Sequence, residues 1–233
     1  MKHIKNKIKA FIFDLDGTIL QTEHLWEQAT LDVLEKKGIS IPESDKLGWG
    51  ERFSGKGLVE IAQMLKESFD FTETIEEFIE EKRAHTLSLF QDKNNKSKLN
   101  FIKGFKEFHS QISEHSIPNC IATNADSISL DHMKNLMNLD SFFKQNIFNI
   151  AHVENKAKPD PSLFIYAAEK LGAKPKDCIV FEDSLPGFIA AQKANMRCIA
   201  IKNKNNKQHL SLAHKSINNY FEALETLKGL IKL

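Results

Sequence analysis

Apolar residues fall along this chain in two rhythms. Short unbroken runs stand at Ile8–Phe13, Asn119–Thr123, Cys178–Phe181 and Cys198–Ile201, with a weaker one at Asn146–Ile150. Runs without polar alternation predict strands covered on both faces, as in a parallel sheet. Between the later runs the spacing turns helical, over Ser127–Met137, Ser162–Leu171 and Ser184–Ala194. Gly172 stands where a C-cap glycine belongs. Strand, helix, strand, helix requires right-handed crossovers. The pattern therefore predicts an α/β fold, a doubly wound Rossmann-like parallel sheet with helices on both faces.

The interval between the first two runs is far longer than one crossover helix needs, and it carries no strand pattern. Glu23–Lys37 has a helical stripe of Leu25, Trp26, Ala29, Val33 and Leu34, closed by Gly38. Gly57–Phe69 repeats the pattern through Leu58, Ile61, Ala62 and Leu65, and Thr72–Phe90 through Ile75, Phe78, Ile79 and Leu87. Residues 38–57, "GISIPESDKLGWGERFSGKG", read as a spacer. Residues 23–95 are thus expected to form an inserted all-helical cap domain, with 1–22 and 96–233 forming the α/β core. Asn100–His115 returns to the core as a helix ahead of the second strand.

Composition narrows the classes. The chain has 233 residues, 41% hydrophobic and 27% charged, which suits a soluble globular protein with a sizeable core. The net charge is +1 and only Arg52, Arg83 and Arg197 are arginines, so nothing steers it to nucleic acid. The Lys/Asn tracts at 92–98 and 202–207 lack interleaved aromatics and read as solvated loops or a hinge. Cys120, Cys178 and Cys198 lie in or beside apolar runs and are expected as buried, reduced thiols. The basic start is followed by a short apolar run that ends in Asp14, so no secretory segment is expected, and no run is long enough for a membrane. A cytoplasmic monomer is expected.

The chemistry stands at the ends of the strands, where open parallel sheets bind ligands. The first run ends in Asp14-Leu15-Asp16-Gly17-Thr18, the second in Thr123-Asn124 and another in Glu182-Asp183-Ser184. Lys158-Pro159-Asp160-Pro161 precedes a helix. Carboxylates crowded into one crevice repel one another and push their own pKa values up. A divalent cation removes that conflict, and oxygen ligands suit Mg²⁺. The lysine and the hydroxyl suit an anion beside the metal, such as phosphate. A carboxylate nucleophile, Mg²⁺ and phosphate together point to phosphoryl transfer through an aspartyl-phosphate.

The motifs "DLDGT", "ATN", "KPDP" and "VFEDSLPG", in this order and setting, resemble those of the haloacid dehalogenase superfamily. The likeness runs over nearly the whole chain, and Lys158–Met196 is especially similar to the branch of phosphatases and phosphohexomutases. The resemblance implies a role for each matching residue. Asp14 is the nucleophile and a metal ligand. Asp16 is the general acid and then the base, its backbone carbonyl also binding the metal. Thr123 and Asn124 hold the phosphate, and Lys158 screens it from the nucleophile. Asp183 is a further metal ligand, and Glu182 either a ligand too or a partner that supports the ligands. Gly17 and Thr18 begin the turn out of the strand.

The cap of such proteins closes over the crevice and reads the leaving group. Trp49, Arg52 and Lys56 are the candidates for that contact. Three positions depart from the pattern: Gln21 stands for a frequent aspartate, Trp26 for a frequent histidine, and Lys103-Gly104-Phe105 for the usual Pro-Gly-Val. The first two favour hydrolysis over mutase chemistry. The reading is an Mg²⁺-dependent phosphatase of a small phosphorylated metabolite, a sugar phosphate, with a β-phosphoglucomutase-like phosphohexomutase and a non-catalytic phosphometabolite-binding module as alternatives. "SGKG" at 54–57 lacks the strand a phosphate loop needs. His109 and His115 are expected as surface residues of a helix.

Overall fold

The structure is a computed structural model that describes residues 8–92 and 99–227. The basic start and residues 93–98 of the first Lys/Asn tract lie outside the described residues. Six strands, β1 (Ala10–Phe13), β2 (Asn119–Thr123), β3 (Ile147–Asn149), β4 (Cys178–Glu182), β5 (Arg197–Ile201) and β6 (Lys215–Ile217), form one parallel sheet in the order β3-β2-β1-β4-β5-β6. The doubly wound α/β fold is therefore present. The sixth strand has no counterpart in the apolar pattern, because "KSI" is short, at the sheet edge and half polar.

Successive side chains of β1 point to opposite faces, and both faces are dry. Phe11 and Phe13 enter one apolar cluster, Ala10 and Ile12 the other. The first cluster is unusually aromatic. Phe13 stacks on Phe181 with ring centroids 5.0 Å apart and meets Phe105 edge-on at 5.9 Å.

Four helices follow β1: α1 (Glu23–Lys36), α2 (Glu43–Phe53), α3 (Leu58–Ser68) and α4 (Ile75–Gln91). They share an apolar cluster of their own, including Val33, Leu34, Phe53, Ile61, Leu65 and Phe78. α2 lies inside the expected spacer. Its sequence, "ESDKLGWGERF", buries only Gly50 and Phe53, too thin a stripe for periodicity to mark. α4 begins at Ile75 rather than Thr72 because Thr74 forms a capping box with Glu77: Glu77 N donates to Thr74 Oγ1 at 3.2 Å, and Thr74 N to Glu77 Oε2 at 2.8 Å.

The helices that cover the sheet are α5 (Phe105–Glu114), α6 (Ser127–Met137), α7 (Asp140–Phe143), α8 (Ser162–Lys170), α9 (Leu185–Lys193) and α10 (Tyr220–Leu227). α5 is shorter than the expected Asn100–His115. The residues before it pair with the chain leaving β1: Gln21 N donates to Asn100 O at 2.8 Å and Ile102 N to Ile19 O at 2.7 Å. Through these two segments the chain passes between the sheet and helices α1–α4.

His109 corrects another expectation. It is buried, not on the surface, because its ring packs against Phe105, Phe142 and Phe143 while Nε2 meets Asn119 Oδ1 at 3.2 Å. Burial lowers its pKa. His115 is exposed as expected. The three cysteines are free and buried. Among the described residues, no helix is long and apolar enough to cross a membrane.

Candidate active site

The strand order places β1 between β2 and β4, so their carboxyl ends share one rim. β1 lies where the winding reverses, the place where such sheets leave a crevice. Asp14 follows the last residue of β1, Thr123 ends β2 and Glu182 ends β4. These three, with Asn124, Lys158 and Asp183, are buried.

Lys158 is the centre of the polar network. Its Nζ donates to Asp14 Oδ1 at 2.6 Å and to Glu182 Oε1 at 2.9 Å. Asn124 fixes the loop that carries it: Lys158 N donates to Asn124 Oδ1, and Asn124 Nδ2 to Gly55 O, each at 2.9 Å. Asn124 thereby also ties the sheet to the α2–α3 connection. The second oxygen of Glu182 is used locally. It accepts from the backbone N–H groups of Asp183 and Ser184, both at 2.7 Å, and from Ser184 Oγ at 2.9 Å. Ser184 Oγ in turn caps α9 by accepting from Gly187 N at 3.2 Å.

Asp183 is held from two sides. Thr18 Oγ1 donates to its Oδ1 at 3.1 Å, and Asn203 Nδ2 to its Oδ2 at 2.8 Å. Gly17 makes room for it. The φ of Gly17 is +75°, and a Cβ there would lie 2.7 Å from Asp183 Cγ. Glycine is required by both conformation and space. Asp16 is half-buried, and its Oδ1 accepts from Thr22 Oγ1 at 2.5 Å and from Trp26 Nε1 at 2.8 Å. Trp26, a departure from the resembled pattern, is thus a direct partner of Asp16.

Asp14, Glu182 and Asp183 bring carboxylate oxygens within 4.8 Å of one another. Burial pushes Asp14 up to about 8, against the pull of Lys158 and with the help of Glu182. Burial also raises Asp16, opposed by its bonds from Thr22 and Trp26. Asp183 stands well above the carboxylate range, through burial and then the charges of Glu23, Glu182 and Asp14. Burial would lower Lys158, but Asp14 and Glu182 outweigh it and keep the ammonium charged. Crowded acids beside one lysine leave the rim short of positive charge. An all-oxygen, buried donor set of this kind fits a hard divalent cation.

A cavity lies over the rim, floored by Asp14, Asp16, Thr123 and Asn124. Lys56 lines it, with its ammonium paired to Glu60. Arg52 and Trp49 are not among the lining residues. The Arg52 guanidinium is exposed and rests 4.0 Å from the centroid of the Trp49 ring.

Several residues of the cavity were not legible as site residues. Glu23 opens α1 and is pushed up to about 7 by burial. Lys82 of α4 is 1% exposed, lines the cavity and rests 5.1 Å from the Trp26 ring centroid. Its Nζ has no hydrogen-bond partner, and burial lowers its pKa to about 8. The signal for it was its spacing: Lys82 falls four positions after Phe78 and four before Thr86, on the buried stripe of α4. Asn203, Asn205 and Asn206 belong to the second Lys/Asn tract, read as a loop or hinge. Asn206 Nδ2 donates to Asp183 O at 2.7 Å.

Comparison with known proteins gives a consistent result. The model of the family described as haloacid dehalogenase-like hydrolase matches residues 11–201. The chloroplastic protein SUPPRESSOR OF QUENCHING 1 of Arabidopsis thaliana is 31% identical over 84% of this chain, which spans only 18% of that protein. Hexitol phosphatase B of Escherichia coli strain K12 is 28% identical, with 84% of each chain covered. In fold, the chain is similar to a HAD hydrolase, family IA, variant 3, from Entamoeba histolytica, with a TM-score of 0.79, 22% identity and coverage of 97% and 100% of the two chains.

Proposed function

The chain belongs to the haloacid dehalogenase-like hydrolase family, and from that premise we propose that it is a phosphatase of small phosphate monoesters, sugar or polyol phosphates, acting through an aspartyl-phosphate. The likeness to a hexitol phosphatase supports the substrate class. The observation that carries the mechanism is the state of Asp14. One of its oxygens is tied to Lys158, and its side chain faces a cavity that it shares with Asp16.

In the first step a carboxylate oxygen of Asp14 attacks phosphorus. The O–P bond forms as the bond to the leaving alcohol breaks. Asp16, whose pKa burial raises, delivers its proton to the departing alkoxide. In the second step water attacks phosphorus, Asp16 takes the water proton, and the Asp14–phosphorus bond breaks to release phosphate. Trp26 and Thr22 hold Asp16 through both steps. Lys158 neutralises Asp14 and lies close to where phosphate oxygens gather. Thr123 offers a hydroxyl at the same floor.

Asp14, Asp183 and the backbone carbonyl of Asp16 would hold Mg²⁺, and Glu182, with its oxygens engaged by Lys158 and the start of α9, completes the carboxylate cluster. Bound there, Mg²⁺ screens the charge of the phosphate from the carboxylates. Helices α1–α4 serve as the cap that shields the cavity from bulk water.

The test is a panel of sugar and polyol phosphates with Mg²⁺, followed by released phosphate, for the wild-type chain and Asp14→Asn. Release by the wild type, falling by roughly four orders of magnitude in the variant, is expected. Conversion of β-glucose 1-phosphate to glucose 6-phosphate without phosphate release would refute hydrolysis.

A further inference from the structure

Unpartnered polar atoms in a protein interior are rare enough that each calls for a reason. Two line the cavity: Lys82 Nζ and Asn205 Oδ1. Asn205 is 5% exposed, and its loop is fastened along its length. Its own N–H donates to Asn203 Oδ1 at 2.8 Å, and Asn203 and Asn206 are bound to Asp183. On the other side Lys204 Nζ donates to Glu27 Oε2 at 2.9 Å, and Gln208 Nε2 to Glu51 Oε2 at 2.8 Å.

The surroundings of Asn205 define what it can take. A Cβ placed on Gly50 would lie 3.3 Å from both Asn205 Oδ1 and Glu27 Oε1. Two acceptor oxygens therefore converge beside bare helix backbone, and all three residues line the cavity. A group that enters between two acceptors must be a donor. A phosphate or carboxylate is repelled there. An ammonium would satisfy the two oxygens and leave Lys82 unpaired. Hydroxyl groups both donate and accept, so a leaving group with several of them serves both walls.

We propose that Asn205, with Glu27 beside it, is a specificity-determining residue that accepts hydrogen bonds from hydroxyl groups of the leaving alcohol, and that Lys82 donates to another oxygen of the same polyhydroxylated chain. This rests on the phosphatase reading for the identity of the reacting phosphate. It moves substrate selection from α2, where Arg52 stacks on Trp49, to the loop after β5.

Sorbitol 6-phosphate and propyl phosphate carry the same reacting group with and without the hydroxyls. Their dissociation constants are measured by calorimetry in Mg²⁺ on the full chain carrying Asp14→Asn. Tighter binding of sorbitol 6-phosphate is expected. Adding Asn205→Ala should lower the preference about tenfold, the loss of one good hydrogen bond. Asn205→Ser, which keeps a neutral acceptor on a shorter stem, should retain part of it. Equal binding of the two esters, or a preference that Asn205→Ala leaves unmoved, overturns the proposal. Phosphate release from sorbitol 6-phosphate by the wild-type chain is read separately. Its absence would remove the phosphatase reading while the binding ratio still decides the role of Asn205.

Discussion

Replacing Lys82 by methionine should make the protein more stable and less active. The amine is 1% exposed, with no hydrogen-bond partner. Burial lowers its pKa from the ordinary 10.5 to about 8. Holding it charged at neutral pH therefore costs roughly 3 kcal/mol. Its place over the Trp26 ring returns about 1 kcal/mol of that. Methionine has a similar length and no charge to desolvate. A net gain of about 2 kcal/mol follows, or roughly 4–8 °C in Tm for a chain of this size.

The pH dependence has a definite sign. Below pH 8 the amine is charged in both folded and unfolded chains, and the full penalty stands. Between 8 and 10.5 the folded amine is neutral while the unfolded one remains charged, so the wild type gains stability as pH rises. The gap between variant and wild type should be widest below pH 8 and should close towards 10.5. Urea denaturation of both proteins across that range measures it. A variant less stable than wild type at pH 7, or a gap indifferent to pH, would show that the buried lysine is not the liability described. Turnover should fall with the same substitution, an exchange of stability for function.

Three other outcomes are expected. Burial raises Asp14 from 3.8 to about 8, so the metal-free protein should lose stability as pH rises through that window; added Mg²⁺ should raise Tm more at pH 8 than at pH 5, read by thermal unfolding at both. Lys158→Met leaves Asp14 and Glu182 without their shared cation and should destabilise by about 3–5 kcal/mol in urea titration, with phosphate release lost. Gly17→Ala strains a positive φ and displaces Asp183; a loss of about 1–3 kcal/mol in Tm-derived stability is expected, with activity reduced even where the variant remains folded.

The parts of this protein that announce themselves in sequence are those whose partners are solvent-free on every side. β1, β2, β4 and β5 are nearly unbroken apolar runs because both sheet faces are covered. The acids at their ends stand out by contrast with what precedes them. Elements that depend on one thin contact were hidden. α2 buries two residues of eleven and carries two glycines, and β6 is a three-residue edge. His109 looks polar in any sequence, and besides Phe105 on its own helix it takes Phe142 and Phe143, far along the chain, to make its site apolar. The Asn203–Asn206 loop was hidden for the opposite reason. Its composition is that of a solvated loop, yet its amides point inward to Asp183, a partner no local pattern reveals. Arg52 was a reasonable candidate by charge, but stacking on Trp49 gives its guanidinium another place to rest.

The layer of phenylalanines under the rim also governs how the sheet can assemble. Phe13 and Phe181 stack on each other, and each immediately precedes an acid, Asp14 and Glu182. If β1 slipped by a single residue against β4, Asp14 would enter the aromatic layer and a ring would be thrust to the opposite face. An ionised carboxylate among benzene rings is prohibitive. The rings therefore act as an alignment gauge: the strands can zip together in one way, and that way sets Asp14 at the floor of the cavity with Lys158 already alongside.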